Sequence, residues 1–556
     1  MEYRDQFLNN KFGNDLKRYF IQYCKLSSIQ GPSNIVKARN SIERLWWSTI
    51  FVFGIIGSFY MVHKIIYRWI EAPILVSLAT KEMNIDKIPF PAITICPEAK
   101  VTTECLPYAD ILKARKNGRA GDYDMEQHTI FDYMASVCRP ENHDSTLTVL
   151  GFYENEMELQ RLIGGENISL SIDDLDYEPE LDKHVFFFEY CKVVKLENSY
   201  CSWMGQTKNC SDILSPILTD QGLCYSFNMY DVRNIYSDLN TMEYYEDNSN
   251  EGQDWNPDEG FSEYPNHEQI YPRRTSLIGA NNALVVVMLT ENKDINYACQ
   301  DFAIQGLRVS MHTAASIPRL EQVFFSVGLD RLTTVAVTPS VSETSERVKL
   351  YSPEKRYCYF GYERKLKYFN YSQSNCNFEC WTNYTISKCG CVAFYMPRDN
   401  STKDCSLRRR FCIERARLSY NADILKERLE TGYGKKDNAT TKCNCLPLCS
   451  DISYNAELSS GEWNFNHIDD VDLDEIREEM SKYRASAIKV FFKESYFLPT
   501  ERGELHGIFD MISNICGVLS LFTGFALVSV AEIAYFVFIK SLDNYRRYNN
   551  WAGPKP

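Results

Sequence analysis

Histidine is scarce in this chain, eight in 556 residues, and no two stand at the spacing of a metal-ligand pair. HExxH, G-x-S-x-G and the P-loop are all missing, so no metallopeptidase, serine-hydrolase or nucleotide-hydrolase reading has a site to stand on. An enzyme is not expected, and no cofactor or metal is implied. A basic surplus is missing too: the net charge is −14, which excludes nucleic acid as an expected partner. Residues 1–44 show no apolar core followed by a cleavage site, so no removable signal peptide is expected and the first membrane helix is left to direct insertion. Residues 234–272 carry ten acids and neither Lys nor Arg, among Gly, Asn, Ser and Pro. That stretch reads as a solvated, mobile loop, and it lacks the spacing of an EF-hand calcium site.

What is present is long and apolar enough to fold, at 44% hydrophobic, and too long for one ordinary core. Two runs stand out. Leu45 to Val62 holds 18 residues without a charge, with Trp46 and Trp47 near its start, where they suit the interface. Met511 to Ala531 holds 21, and after Glu532 the apolar run resumes up to Lys540. Each is close to the roughly 30 Å of a bilayer's hydrocarbon. Residues 1–44 have eight Lys or Arg against four acids, and residues 540–556 have four against one. Both tails therefore read as cytoplasmic, and the long segment between the spans as extracellular. The tails carry +4 and +3 of the net −14, which leaves −21 for the rest, an exterior that concentrates cations.

Eighteen of the 20 cysteines fall between Cys96 and Cys449, as do all six N-x-S/T sequons, at Asn167, Asn209, Asn370, Asn383, Asn400 and Asn438. Together they mark an oxidising, glycosylated compartment. Cys389-x-Cys391 and Cys443-x-Cys445 are spaced too closely for structural zinc pairs, so bridges are expected. Short β-rich runs at 90–96, 283–290, 306–312, 333–338 and 486–492 are read as one central sheet, its first strand following the first span and its last preceding the second. Leu473, Ile476, Met480 and Tyr483 keep a helical stripe behind a cap at Asp469 or Asp470. The fold class is α+β.

Along the second run, Ser513, Gly517, Ser520, Gly524 and Ala531 recur at helical spacing. A face of small side chains serves either close helix packing or the lining of a narrow pore, and spacing alone does not choose. Glu532 lies deep in the same run. It reads either as one member of an acidic ring around a pore or as a carboxylate reaching the cytoplasmic interface.

The string Phe90 to Pro97 (FPAITICP) after a first span, the cysteine ladder from Cys358 to Cys449, and GVLSLFTGFALVSVAEIAYF (Gly517 to Phe536) resemble the degenerin/epithelial sodium channel family. CNFECWTNYTISKCGCVAFYMPR, CNCLPLCSDISYNAE and FFKESYFLPTERGELHG look most like its arthropod pickpocket branch. The resemblance covers nearly the whole chain. It implies a plasma-membrane, sodium-permeable cation channel, a homo- or heterotrimer with related subunits, sensitive to amiloride-type blockers and gated through its extracellular domain. The implied organisation is a cytoplasmic tail (1–44), a first transmembrane helix (45–66), a disulfide-rich ectodomain (67–506) with a thumb (358–449), a second transmembrane helix and pore (507–539), and a cytoplasmic tail (540–556). The ectodomain would comprise palm sheet, β-ball, finger, thumb and knuckle. A non-conducting modulatory or receptor-like subunit that works only in a heteromer is the alternative. A two-span channel gated by extracellular nucleotide shares the topology but not the ladder.

Carried over residue by residue, the family's filter falls on Gly524, Phe525 and Ala526, where alanine replaces the usual serine and puts sodium preference in question. Its degenerin gate position falls on Ser513, with Gly517 and Ser520 lining the pore. Asn514 stands where some relatives have aspartate, and Asp510 is one turn away. The amino-terminal His-Gly motif becomes Gln30-Gly31. The resemblance pairs Cys358 with Cys449, Cys376 with Cys445, Cys380 with Cys443, Cys389 with Cys412, Cys391 with Cys405, Cys96 with Cys224 and Cys201 with Cys210, the nested pairs stapling two helices. Chain order then leaves Cys105 with Cys138 and Cys191 with Cys299.

Overall fold

The computed structural model describes all residues except 1, 72–73, 118, 139–180, 237–253, 263–269, 296–298, 300–303, 400, 407–408, 432–442, 465–479, 506 and 555–556. The chain forms two compact units: residues 1–76, 345–356 and 502–556 make one, and residues 77–344 and 357–501 the other.

The first unit is helical. Ser41–Glu71 is a 31-residue helix, longer at both ends than the 45–66 span expected, and at about 46 Å more than enough to cross hydrocarbon. The second apolar run is two helices, Ile508–Thr523 and Leu527–Ala534, the latter continuing as a π-helical turn, Tyr535–Lys540, into Ser541–Tyr548. The two halves diverge by 77° at the break between them. Among the described residues, only Ser41–Glu71 is by itself long and apolar enough to cross a membrane, with the bent pair a second span if taken as one.

The second unit is built on two sheets, where one was expected. In the larger, Arg331–Thr344 pairs antiparallel with Asp451–Glu462 and parallel with Tyr483–Phe492; Leu284–Glu291, Tyr200–Trp203 and Gln206–Lys208 follow by antiparallel pairing. The smaller runs Phe325–Val327, Leu307–His312, Ala92–Pro97, Gly222–Phe227, Leu214–Thr219, antiparallel throughout. The strands at 90–96 and 306–312 thus belong to a different sheet from the other three. Both of those runs are largely buried on both faces, and a strand buried on both faces carries no alternation that says which sheet it joins. The main core holds side chains of both sheets, with Phe90, Trp203, Phe227 and Phe492 packed edge to face around it. Tyr483, read as the end of a helical stripe, opens a strand instead; Leu473, Ile476 and the caps at Asp469 and Asp470 lie outside the described residues.

Part of the acidic segment is not a solvated loop. Trp255–Asn256 and Gly260–Phe261 form a small hairpin, and buried Asp254 accepts the amide of buried Tyr271 at 2.9 Å. Of the sequons, Asn209, Asn370 and Asn383 are exposed; Asn167, Asn400 and Asn438 lie outside the described residues.

Nine disulfides close the second unit. Cys96–Cys224, Cys201–Cys210, Cys358–Cys449, Cys376–Cys445, Cys380–Cys443, Cys389–Cys412 and Cys391–Cys405 are the pairs the resemblance implies. The last four cysteines pair differently from chain order: Cys105 joins Cys191 and Cys138 joins Cys299, with Cα atoms 5.4 and 4.3 Å apart. The reason is packing. Met125–Met134 and Leu181–Tyr190 share one apolar cluster, which brings Cys191, at the end of the second helix, onto Cys105 and leaves Cys138 beside Cys299.

In the ladder, helix Gln373–Cys389 starts on a Ser372 cap, whose hydroxyl accepts the Asn375 amide at 3.1 Å, and stops at Gly390 in the left-handed region, φ 69°. Of the nine disulfides, one, Cys389–Cys412, ties it to helix Arg410–Thr431. Cys376 and Cys380 instead hold the stretch around 443–446, where Arg364 donates to the carbonyls of Cys443 and Asn444 and Tyr371 to that of Leu446. Arg417 anchors the second helix by pairing with Glu321 at 2.6 Å. Beside it, Asp220 accepts the amides of Leu320 and Glu321, and burial next to the Glu321 carboxylate pushes its pKa up to about 6.

Two measurements check this arrangement. Replacing Cys138 and Cys299 together by Ser should leave Cys24 and Cys516 as the free thiols in denaturant, as in the native chain, at a cost of about 2–4 kcal/mol; replacing Cys105 and Cys138 should expose Cys191 and Cys299 as well. Arg417→Met should lower the melting temperature more at pH 7.5, where Asp220 is ionised, than at pH 5, where Asp220 holds its proton. The difference should be about 1 kcal/mol, allowing for solvent screening of a partly exposed guanidinium.

Candidate permeation pathway and gate

The break in the second apolar run falls on the tract carried over as a filter. Thr523 ends the first helix; Gly524 caps it in the left-handed region, φ 69°, which glycine reaches without steric penalty. Ala526 is extended, φ −122° and ψ 172°, and is the N-cap of the next helix. Its amide donates to Ser529 Oγ at 3.1 Å, and its carbonyl accepts the Ser529 amide at 2.9 Å. The Gly524 amide reaches back to the Ser520 carbonyl, 2.9 Å. Among the described residues, no donor reaches the carbonyl oxygens of Thr523, Gly524 or Phe525.

The first half of the run has two distinct faces. Met511, Ile515, Val518 and Leu519 are half-buried on the side toward Ser41–Glu71. A Cβ on Gly54 would stand 2.9 Å from the Phe522 carbonyl oxygen, and one on Gly57 2.9 Å from the Phe522 ring, so those two glycines set the approach of the helices. Ser58, next to Gly57, is buried, its hydroxyl bonded to the Gly54 carbonyl at 2.8 Å. Ser513, Gly517 and Ser520 lie on the opposite side at helical spacing and are exposed; a Cβ on Gly517 would meet nothing within 4 Å. Within the chain, the small-residue face is therefore not the one used for packing. Gly54 and Gly57 do that work, and sequence reading passed over them although a Gly-x-x-Gly in an apolar helix is their signal. Asn514 is exposed, and Asp510 caps its own helix by accepting the Gly507 amide at 3.2 Å.

The amino-terminal segment closes around the second half. Helix Gln30–Lys37 begins at the carried-over motif. A Cβ on Gly31 would overlap the ring of Phe51, with Cγ only 2.6 Å away, so a larger residue here would force the ring or this helix to move. Just before it, the Ser28 amide donates to Glu532 Oε2 at 2.8 Å, and Ser28 Oγ is 2.7 Å from Ser529 Oγ. Earlier still, the Tyr19 hydroxyl donates to the Phe536 carbonyl at 2.6 Å. Phe536 sits in the π-helical turn, a local departure from the i to i−4 ladder that admits an outside donor. The structure thus brings together Ser28, Ser529 and Glu532, a contact that neither reading of Glu532 foresaw.

A family model described as amiloride-sensitive sodium channel matches residues 23–536. Pickpocket protein 28 of Drosophila melanogaster is 25% identical over 544 residues, covering 94% of this chain and 79% of its own length. Sodium channel protein Nach of the same species is 21% identical, covering 96% and 89%. Epithelial sodium channel subunit alpha of Pelodiscus sinensis is 20% identical, covering 98% and 84%.

Gly31→Ala should lower the melting temperature of the purified chain, a loss of about 1–3 kcal/mol from overpacking against Phe51. Adding Phe51→Ala should restore most of it, since the ring is what the methyl would strike. A thermal scan of the two variants decides, and no rescue would mean that Gly31 is needed for something other than room.

Proposed function

Since the chain belongs to the amiloride-sensitive sodium channel family, we propose that it is one subunit of a trimeric, sodium-permeable channel whose pore is lined by residues 508–539. Channels of this family sit in the plasma membrane. The observation that carries the reading is the set of unpartnered carbonyls at Thr523, Gly524 and Phe525. Inside a bilayer, non-helical backbone is tolerated only where it is buried in protein or lines a water-filled path. Carbonyl oxygens turned to such a path replace part of an ion's hydration shell. Since this filter is backbone, Ala526 in place of serine is compatible with conduction.

Ser513, Gly517 and Ser520 occupy the face left open by the first span, which supports a lining role for them, with Ser513 at the gate. Both tails, 1–44 and 540–556, are assigned to the cytoplasm, residues 67–506 to the exterior as palm, β-ball, finger, knuckle and the thumb at 358–449. Gating through that exterior and block by amiloride are part of the proposal, as is assembly with like or related subunits. Gln30 and Gly31 serve as the amino-terminal gating motif, acting on the lower pore by way of Ser28 and Glu532.

Expression of the chain alone in oocytes tests this. Ser513→Val places a bulky side chain at the gate and should give a standing sodium current, several-fold above the native chain and blocked by amiloride. Surface protein without current in either form would overturn the self-sufficient pore and favour an obligate heteromeric or modulatory subunit.

A further inference from the structure

Helix Glu2–Leu26 has a face that is docked and a face that is not. Tyr19 and Tyr23 meet Phe536 edge to face, Tyr19 also meets Trp551, and Cys24 is fully buried. One position along, Leu16, Phe20 and Ile21 are 49%, 59% and 37% exposed. Leu16 and Phe20 stand one turn apart on one side of the helix and form a patch, and Ile21, which follows Phe20, projects about 100° further round. Lys17 and Lys25, one turn to either side of Ile21, are exposed.

The surroundings extend both properties. The turn on which Tyr19 docks, Tyr535–Lys540, leaves Val537, Phe538 and Ile539 exposed, and Lys540 lays its ammonium 4.3 Å over the Phe536 ring. Arg546 and Arg547 follow, while Asp15 and Asp543 are held by arginines, Arg18 and Arg547. An apolar patch with a basic border, continuous with the end of a membrane helix, matches one kind of partner: the boundary between acyl chains and headgroups of an anionic leaflet.

We propose that helix Glu2–Leu26 lies on the membrane surface, burying Leu16, Phe20 and Ile21 in the acyl boundary and setting Lys17 and Lys25 against anionic headgroups. Only the choice of the cytoplasmic leaflet rests on the proposed topology; contact with lipid does not. The arrangement fixes the depth of the Tyr19 and Ser28 contacts relative to the bilayer, so the lipid sets the position of the brace on the second helix. It is therefore sensitive to leaflet charge.

The test uses the full chain in lipid nanodiscs, with Cys516→Ser removing the exposed thiol and a nitroxide at Phe20→Cys or, for comparison, Gln22→Cys. Collision with oxygen reports lipid, and collision with a soluble nickel chelate reports water. The oxygen-to-chelate ratio should be several-fold higher at position 20 than at 22. It should rise further at 20 when phosphatidylserine is added to phosphatidylcholine, and Lys17→Glu with Lys25→Glu should abolish that rise. A ratio at 20 no higher than at 22 would place the patch in water. A label at 20 shielded from both reagents would place it against a neighbouring protein, a second copy included. Either outcome overturns the proposal, and a ratio indifferent to phosphatidylserine overturns its electrostatic half.

Discussion

An apolar helix that stops in its middle has to account for every backbone group it frees. In the second apolar run, Gly524 and Ala526 leave the helical region, and the groups on the amino side of the new helix find partners: the Ala526 amide takes the Ser529 hydroxyl, and the Ser529 amide takes the Ala526 carbonyl. The carbonyls before it do not. In water this would be unremarked, but in hydrocarbon each unpaired carbonyl costs several kcal/mol. The break is thus tenable only beside water, ions or another subunit, and the proposed pore supplies such surroundings.

The bend that results, 77°, also removes the second half from the continuous helix that would otherwise hold it. Something else has to fix it, and the contacts at hand are those of the amino-terminal segment. Ser28 meets both Ser529 and Glu532, Tyr19 meets the Phe536 carbonyl, and Gly31 lets the following helix lie against Phe51. Three contacts at successive turns of the second half come from a segment more than 500 residues away in sequence. A gating role for Gln30 and Gly31 then requires neither residue to touch an ion.

Much of this was legible because the signals were one-dimensional. Charge-free runs marked the two long apolar helical segments, and the Gly524 to Ala526 tract fell on the break in the second. What failed were matters of three-dimensional neighbourhood. Chain order gave no hint that two helices would carry Cys191 to Cys105, and strands buried on both faces gave none that Ala92–Pro97 and Leu307–His312 form a second sheet. Arg308 shows the same limit: an arginine in a β-rich run reads as solvent-facing, yet it is buried, paired with buried Glu98 at 2.9 Å and stacked over Phe324 at 4.4 Å. Spacing alone left the small-residue stripe open as to use, because packing and pore lining demand the same side chains.

Glu532 shows how the two kinds of information meet. Sequence depth alone makes a carboxylate in an apolar helix either a pore ring or an anchor at the interface. The structure adds a specific donor, the Ser28 amide, two residues before the motif. A carboxylate held this way has one oxygen committed to the tail, and the orientation of the other depends on where the tail lies. If the pore assignment holds, movement of residues 28–31 changes the field in the lower pore without any change in the filter. The tail is then a means of altering permeation, and its position depends on a close approach, since a Cβ on Gly31 would overlap the Phe51 ring.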